Sequence, residues 1–580
     1  MSLPSAAPAD EVAPLLGSER PPDDDDDAPL SPWYNALYVT LLTLGFGGLQ
    51  IAWSVELSHG SPYLLSLGLS KSLMALVWIA GPLTGSLVVP YVGILSDNCR
   101  LPWGRRRPYL VGGTVGTIFS LLFLAWAREI VAGILALFGA DAGSEGVRIA
   151  VIAFAVVGIY LVDISINTVQ AALRAFIVDC APPGQQELAN SMAGRLTGVG
   201  NIIGYLAGYS NLPARMPFLG DTQFKILCAI ASLALCVTIA ISVSFIRERD
   251  PRAEGRPPAK TPGIGPFFFN VMRSIRRLPP QTKSVCRVQF CAWVGFFPLL
   301  FYSSSYIAEI YVQPFLRAKP DMTREEIEVL YQQATRIGTL ALLINAIVSL
   351  STNVFLPFFI TPSLDTTRRL PFTTGGGVSK SDEDDRSSSL ARWLRIPGLT
   401  VKRAWIGSLV LFAVVMFCCP LVNSVEAATG LIGVAGITWA MALWAPWAII
   451  GAEISRRDAL ARARKPGDDG RGGPGHGTST TPGEGAATTE DEVEDEEADD
   501  QAGVVLGIHN MAIAVPQIVA TVGSSIIFKI WQKPRGIAGD HSIAVVMALG
   551  GVCVLLSVFF AAGIDDESEL PDAERGSDTG

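Results

Sequence analysis

The 580 residues are 49% hydrophobic and only 17% charged, with a mean hydropathy of +0.38. That balance excludes an ordinary soluble enzyme of this length and points to an all-α membrane protein. The net charge of −9 comes from Asp23–Asp27 and the run Thr489–Asp500, both read as solvated segments, so it implies no basic ligand and no nucleic-acid partner.

In chain order, residues 1–32 form a polar, acidic tail without a cleavable signal peptide. Within it Glu11–Leu16 reads EVAPLL, an acidic dileucine of the kind that sorting adaptors recognise. Apolar windows then predict about twelve spanning helices, near 34–57, 73–95, 109–127, 149–173, 188–209, 222–245, 285–308, 334–358, 405–423, 429–452, 503–530 and 542–563. A second apolar patch after the third window leaves room for a longer helix there. The windows fall into two groups of six, 33–246 and 285–563, joined by a basic loop at 247–284. Segments 363–392 and 457–502 read as disordered loops, 266–280 as an amphipathic surface helix, and 564–580 as a tail.

Lysines and arginines concentrate in alternate loops: Arg100 and Arg105–Arg107, Arg247 through Lys283, and Arg368 through Arg403. By the positive-inside rule these loops and both termini are cytoplasmic. The cysteines are scattered without CxxC or metal-ligand spacing, and no nucleophile–base pair or phosphate loop appears. Neither an enzyme nor a cofactor is expected.

The fourth window carries the most informative pattern. In LVDISINTVQAALR (161–174), Asp163, Asn167, Gln170 and Arg174 are spaced 4, 3 and 4 apart. At about 100° per residue they share a stripe of roughly 60°. An ionisable side chain at membrane depth costs about 2.5–3.5 kcal/mol on insertion scales, so it faces a bundle interior or an aqueous path. A carboxyl among uncharged hydrogen-bonding groups suits a proton-coupled carrier of a neutral polar solute, with Asp163 as the proton site. About 16 Å of helix, at 1.5 Å per residue, separates Asp163 from Arg174 and argues against direct pairing. The first helix adds Gln50, Trp53 and Glu56. Trp53 reads equally as a sugar platform or an interfacial anchor. Glu56 reads as a hydroxyl acceptor, a second proton site or a solvated carboxylate. Asn510 and Gln517 share a face of the eleventh helix, while His509 points elsewhere and reads as a packing residue.

The loop GILSDNCRLPWGRRRP (93–108) resembles the signature loop of the major facilitator superfamily, in which Asp97 and Arg105, Arg106 and Arg107 would gate the halves. With its flanks it resembles the sucrose and α-glucoside group of the glycoside–pentoside–hexuronide:cation symporters. Further matches run through 49–69, 78–97, 161–179, 199–208, 401–407 and 506–517.

The resemblance implies two six-helix bundles that move a sugar with a proton by alternating access. It assigns Asp163 to protonation and Arg174 to the arginine ending the stripe. Asp179 falls to gating or loop pairing, and Arg336 to a gate with Glu309. Where plant members carry charges in the seventh helix, this chain has Tyr302, Ser304 and Ala308, and it has Lys71 in the region of a plant histidine. Glu56 replaces a plant glutamine. The layout is closer to the fungal or animal branch. The expected activity is import of sucrose or maltose-like glucosides at the plasma membrane. The alternatives are a non-transporting sugar sensor, or a proton-linked exporter in a vacuolar or endosomal membrane.

Overall fold

The computed structural model describes residues 32–141, 143–182, 185–248, 278, 280–360, 395–464 and 490–564, with the side chains of 32, 452, 454–464 and 490–507 outside that description. The dileucine at 11–16 and most of the stretches 266–280, 363–392 and 564–580 lie outside it too. Twelve long helices follow in order: α1 (Trp33–Ser66), α2 (Lys71–Asp97), α3 (Arg107–Ala125), α4 (Glu145–Cys180), α5 (Gln186–Tyr209), α6 (Gln223–Phe245), α7 (Pro280–Ala318), α8 (Arg324–Phe359), α9 (Val401–Cys418), α10 (Val425–Arg464), α11 (Glu490–Trp531) and α12 (Ser542–Ala562). Among the described residues there is no strand. Eleven of the helices are long and apolar enough to cross a membrane. The exception is α5, whose first half carries Glu187, Asn190 and Arg195.

Local chemistry sets the boundaries. Ser70, Ser144, Thr222 and Thr400 cap α2, α4, α6 and α9 by accepting from backbone N–H groups in the first turn. A reciprocal capping box between Thr323 and Glu326 starts α8 ten residues before its apolar window. α7 begins at Pro280, inside the stretch expected to be loop, because Glu453 of α10 accepts from the N–H and hydroxyl of Thr282 (2.8 and 2.7 Å). The third helix does not run on. It breaks at Trp126, and a separate helix spans Ala127–Leu137. Helix also enters the segment expected to be disordered at 457–502: α10 continues to Arg464 on alanine and arginine, and α11 opens on acids that suit a helix N-terminus.

The two groups of six share one packing scheme. α1 packs on α5 and α6, α2 and α3 on α4, and α3 on α6. Likewise α7 packs on α11 and α12, α8 and α9 on α10, and α9 on α12. An internal repeat of this kind is a common transporter design. Glycine allows the closest approaches: Gly200 lies against the Gly47 backbone between α5 and α1, and Gly295 against Gly550 between α7 and α12. Between the halves, α2 packs on α11 and α5 on α8, which are equivalent pairs under the repeat. Because helices alternate direction, the 98–106 loop and the start of α1 share one end of the bundle. The α1–α2 turn marks the far end.

Candidate functional site

A central cavity lies between the halves, lined from both of them. α1 contributes Gln50 and Leu57, α5 Asn201 and Tyr205, α8 Asn345, Ser349 and Asn353, and α10 Trp439. Gln50 Nε2 donates to Asn201 Oδ1 (2.9 Å), and Asn345 Nδ2 donates to the Ile432 carbonyl (2.7 Å). The wall thus combines amide and hydroxyl groups with leucines and an indole. That suits a polyhydroxylated ligand with apolar C–H faces.

The α4 stripe turns into its own half. Asp163 is fully buried, close to Gly81 of α2, and neither carboxyl oxygen has a hydrogen-bond partner among the described residues. Asn167 is 4% exposed and donates to Thr84 Oγ1 (3.1 Å) and to the Asp163 carbonyl (2.8 Å). Gln170 Oε1 accepts from Trp53 Nε1 (3.2 Å). Trp53 lies on the same α1 face as Gln50 and Leu57, so it is no interfacial anchor. Arg174 alone of the stripe is exposed, and no ion pair holds it among the described residues. Gly81 and Gly85, four residues apart on α2, leave the room that Asp163 and Asn167 occupy.

Contacts that join the halves gather towards the far end. Lys71, at the start of α2, forms ion pairs with Glu309 of α7 and with Asp540, the latter at 2.8 Å. Ser72 Oγ donates to the Ser525 carbonyl (2.9 Å), and Ser72 N–H donates to Gln532 Oε1 (3.3 Å). Arg336 Nε donates to the Tyr209 carbonyl (3.1 Å). The expected pairing of Arg336 with Glu309 is therefore not formed, because Lys71 holds that carboxylate. Burial pushes the Asp540 carboxyl up, but the Lys71 ammonium and the Ser542 donors outweigh it and hold the group below its ordinary range.

At the other end the arginine loop is tied within one half. Arg106 pairs with Asp97 and Asp179, the latter at 2.7 Å, and Arg105 Nε reaches Asp179 at 2.9 Å. Arg107 donates to the Ile246 carbonyl. Glu248 accepts from the backbone N–H groups of Arg106 (2.9 Å) and Arg107 (3.2 Å). Gly104, at φ 123°, allows this: a Cβ there would collide with Glu248.

Residues 49–277 match the family model described as MFS/sugar transport protein. Over 568 residues the chain is 31% identical to the general alpha-glucoside permease of Schizosaccharomyces pombe, covering 91% of this chain and 93% of that protein. The chain belongs to the MFS sugar-transport family. This MFS chain is also 32% identical over 317 residues to the sucrose transport protein SUT1 of Oryza sativa subsp. japonica, spanning 52% of the chain and 57% of that relative. Its fold matches a mutant of the nucleoside transporter NupG (TM-score 0.54, 10% identity, 91% of this chain and all of that one). It also matches the xylose transporter XylE from E. coli (TM-score 0.51, 13% identity, 92% and 99%).

Within this MFS fold, Gln50 alone of the residues expected to bind substrate lines the central cavity directly. Asn510 is half-buried without lining it, and Gln517 Nε2 donates to the carbonyl of Ile513 in its own helix (3.1 Å). The second half is represented instead by Asn345, Ser349 and Asn353. Their 4 and 4 spacing inside apolar α8 is the same signal that singled out Asp163. His509 packs edge-on against Trp447 and meets Gln289 (3.3 Å), as a packing residue would.

Proposed function

We propose that the chain is a proton-coupled symporter for sucrose and related α-glucosides such as maltose, working by alternating access. The loop bias supports the arginine-loop end as cytoplasmic and the far end as outer, with the plasma membrane as its site and import as its direction. The observation that carries the reading is Asp163. A carboxylate with no donor in an apolar setting is costly, so a group placed there is suited to enter the closed state neutral and to ionise when a path to water opens. Gln170 and Trp53 connect its helix face to the α1 wall of the central cavity, which links the proton site to the substrate. The names of the S. pombe and rice relatives support the sugar class.

In cells lacking endogenous uptake, labelled sucrose or maltose is expected to enter faster at acidic external pH and to stop accumulating when a protonophore is added. Uptake indifferent to both would reduce the protein to a facilitator.

The arginine loop is read as a gate that sets rate rather than coupling. Glu248→Ala strips the acceptor from the Arg106 and Arg107 N–H groups, a cost of about 1–3 kcal/mol to the loop. Initial uptake is expected to fall several-fold while the steady-state accumulation ratio stays unchanged, and Asp179→Asn is expected to behave alike. Loss of accumulation in either variant would move part of the coupling machinery into this loop.

A further inference from the structure

Asn345, Ser349 and Asn353 line the central cavity from one face of α8, each about one turn from the next. At 1.5 Å per residue the ladder covers about 12 Å, which suits two joined sugar rings better than one. Contacts between α5 and α8 set the levels along it. A Cβ on Gly208 would meet Thr339, and one on Gly198 would meet Leu350. Between those points Tyr205 packs with Leu342, Leu343 and Ala346. The two helices are therefore antiparallel in nearly one-for-one register. Asn201 falls opposite Asn345 and Ala346, and Gly194 falls opposite Asn353. Because Arg336 meets the Tyr209 carbonyl at the closed far end, Asn345 marks the deep end of the ladder and Asn353 the end towards the arginine loop.

The two ends differ in how firmly they are set. At the deep end Gln50 Nε2 donates to Asn201 Oδ1 (2.9 Å), and Asn345 Nδ2 donates to the Ile432 carbonyl (2.7 Å). These bonds orient the amides and leave Gln50 Oε1 and Asn345 Oδ1 as acceptors and Asn201 Nδ2 as a donor for ligand hydroxyls. Further along, Ser349 is 7% exposed and, like Asn353, makes no hydrogen bond among the described residues. Asn353 is exposed, and no atom lies within 4 Å of where a Cβ on Gly194 would stand. The α5 wall thus carries no side chain at the level where α8 offers an unused amide. Gly436 of α10 lies against the Asn345 carbonyl and the Ser349 N–H, so Trp439 brings its indole to the middle of the ladder.

We propose that the cavity holds a disaccharide lengthwise along α8, with the α-glucosyl ring among Gln50, Asn201 and Asn345 and the second ring between Asn353 and Gly194, and that Asn353 and Gly194 set the preference for two-ring over one-ring glucosides. The inference rests on the α-glucoside reading above. The ring common to sucrose and maltose meets amides held in fixed directions. The ring that differs between them meets a free amide and bare backbone, which accept either. Ser349 offers its hydroxyl at the glycosidic junction, and Trp439 supplies an apolar face for the ring C–H groups there.

The test uses uptake of labelled maltose or sucrose by the full chain, with unlabelled methyl α-glucoside as a one-ring competitor. Gly194→Leu fills the space of the second ring, and Asn353→Ala removes its amide. The disaccharide KM is expected to rise tenfold or more in Gly194→Leu and at least threefold in Asn353→Ala. The inhibition constant of methyl α-glucoside should change by less than half as many fold in each. Asn345→Ala is expected to weaken both ligands by the same factor. Parallel weakening of both ligands in Gly194→Leu and Asn353→Ala overturns the proposal, because α5 and α8 then need those residues for packing or movement and not for a second ring. An unchanged disaccharide KM in both variants overturns it too, as does a wild-type chain whose uptake methyl α-glucoside fails to inhibit. If Gly194→Leu does not reach the membrane, Asn353→Ala decides alone. A wild-type chain that moves neither disaccharide sinks the α-glucoside reading itself, which is a distinct result.

Discussion

Asp163→Asn is expected to abolish proton-driven accumulation while sugar exchange survives. Asparagine keeps the size of the side chain and fixes it in the neutral state. It sits on α4 between the Gly81 and Thr84 turns of α2, where Asn167 already bonds Thr84 and the Asp163 backbone carbonyl rather than the Asp163 carboxyl. The substitution therefore leaves the helix contacts in place and removes only the ability to ionise. A carrier locked in its proton-loaded form can still interconvert with sugar bound, so counterflow should stay within a few-fold of wild type. Net uptake requires the empty carrier to return without its proton, and that step is closed to asparagine. The steady-state ratio of internal to external sugar should fall from concentrative to about one under an imposed pH gradient, a selective loss of the driven step. An Asp163→Asn protein that still concentrates sugar after a pH step would place the coupled proton elsewhere, with Glu56 the next carboxyl to examine.

How much of this was legible beforehand differs between fold and site. Eleven of the twelve helices follow from apolar windows, because bilayer thickness fixes the length of each element, and α5 is the one whose polar first half weakens that signal. The α8 start was misplaced because capping, not hydropathy, sets a helix end: the Thr323–Glu326 box lies outside the apolar window. The Asp163 stripe was visible as four polar residues on one face. Its direction was not, since a periodic pattern says which residues share a face and nothing about what that face meets. Asp163, Asn167 and Gln170 meet Gly81, Thr84 and Gly85 of α2 and Trp53 of α1, and only Arg174 at the end of the stripe is exposed. Asn345, Ser349 and Asn353 carried an equal signal in α8 and were missed because they are uncharged. The Lys71, Glu309 and Asp540 cluster joins positions more than 200 residues apart, and no local pattern pairs them. Glu248 was hidden in a basic run, where a lone acid reads as a spacer.

Removing the Lys71 charge is expected to release the far-end gate. The ammonium belongs to the N-terminal half and both carboxylates to the C-terminal half, so the cluster exists only while the halves meet at that end. The three side chains are 13%, 9% and 8% exposed, which makes this a mostly buried network. In Lys71→Met the two acids are left facing each other without a cation whenever the gate closes. Breaking one side of a buried pair costs about 3–5 kcal/mol, which would shift the closed-to-open equilibrium by roughly two to four orders of magnitude. When the gate opens, all three groups regain water, so the penalty falls on the closed state alone. The pH sense follows from Asp540. Its proton affinity is depressed in the closed state, so its contribution to closure is complete above the ordinary carboxylate range, near 3.9, and is lost only as pH falls through the lower closed-state value. Mild acid therefore leaves the gate intact. The measurement is labelling of a cysteine introduced at Ser525, which accepts from Ser72 across the closed interface, by a membrane-impermeant thiol reagent. Labelling should be slow in the otherwise unmodified chain and at least tenfold faster with Lys71→Met. It should return towards the slow rate when Lys71→Met is combined with Glu309→Gln and Asp540→Asn, because no unpaired charge then remains to be buried. Equal labelling rates with and without Lys71→Met would show that the serine contacts and the α5–α8 packing hold the far end closed without the ion cluster.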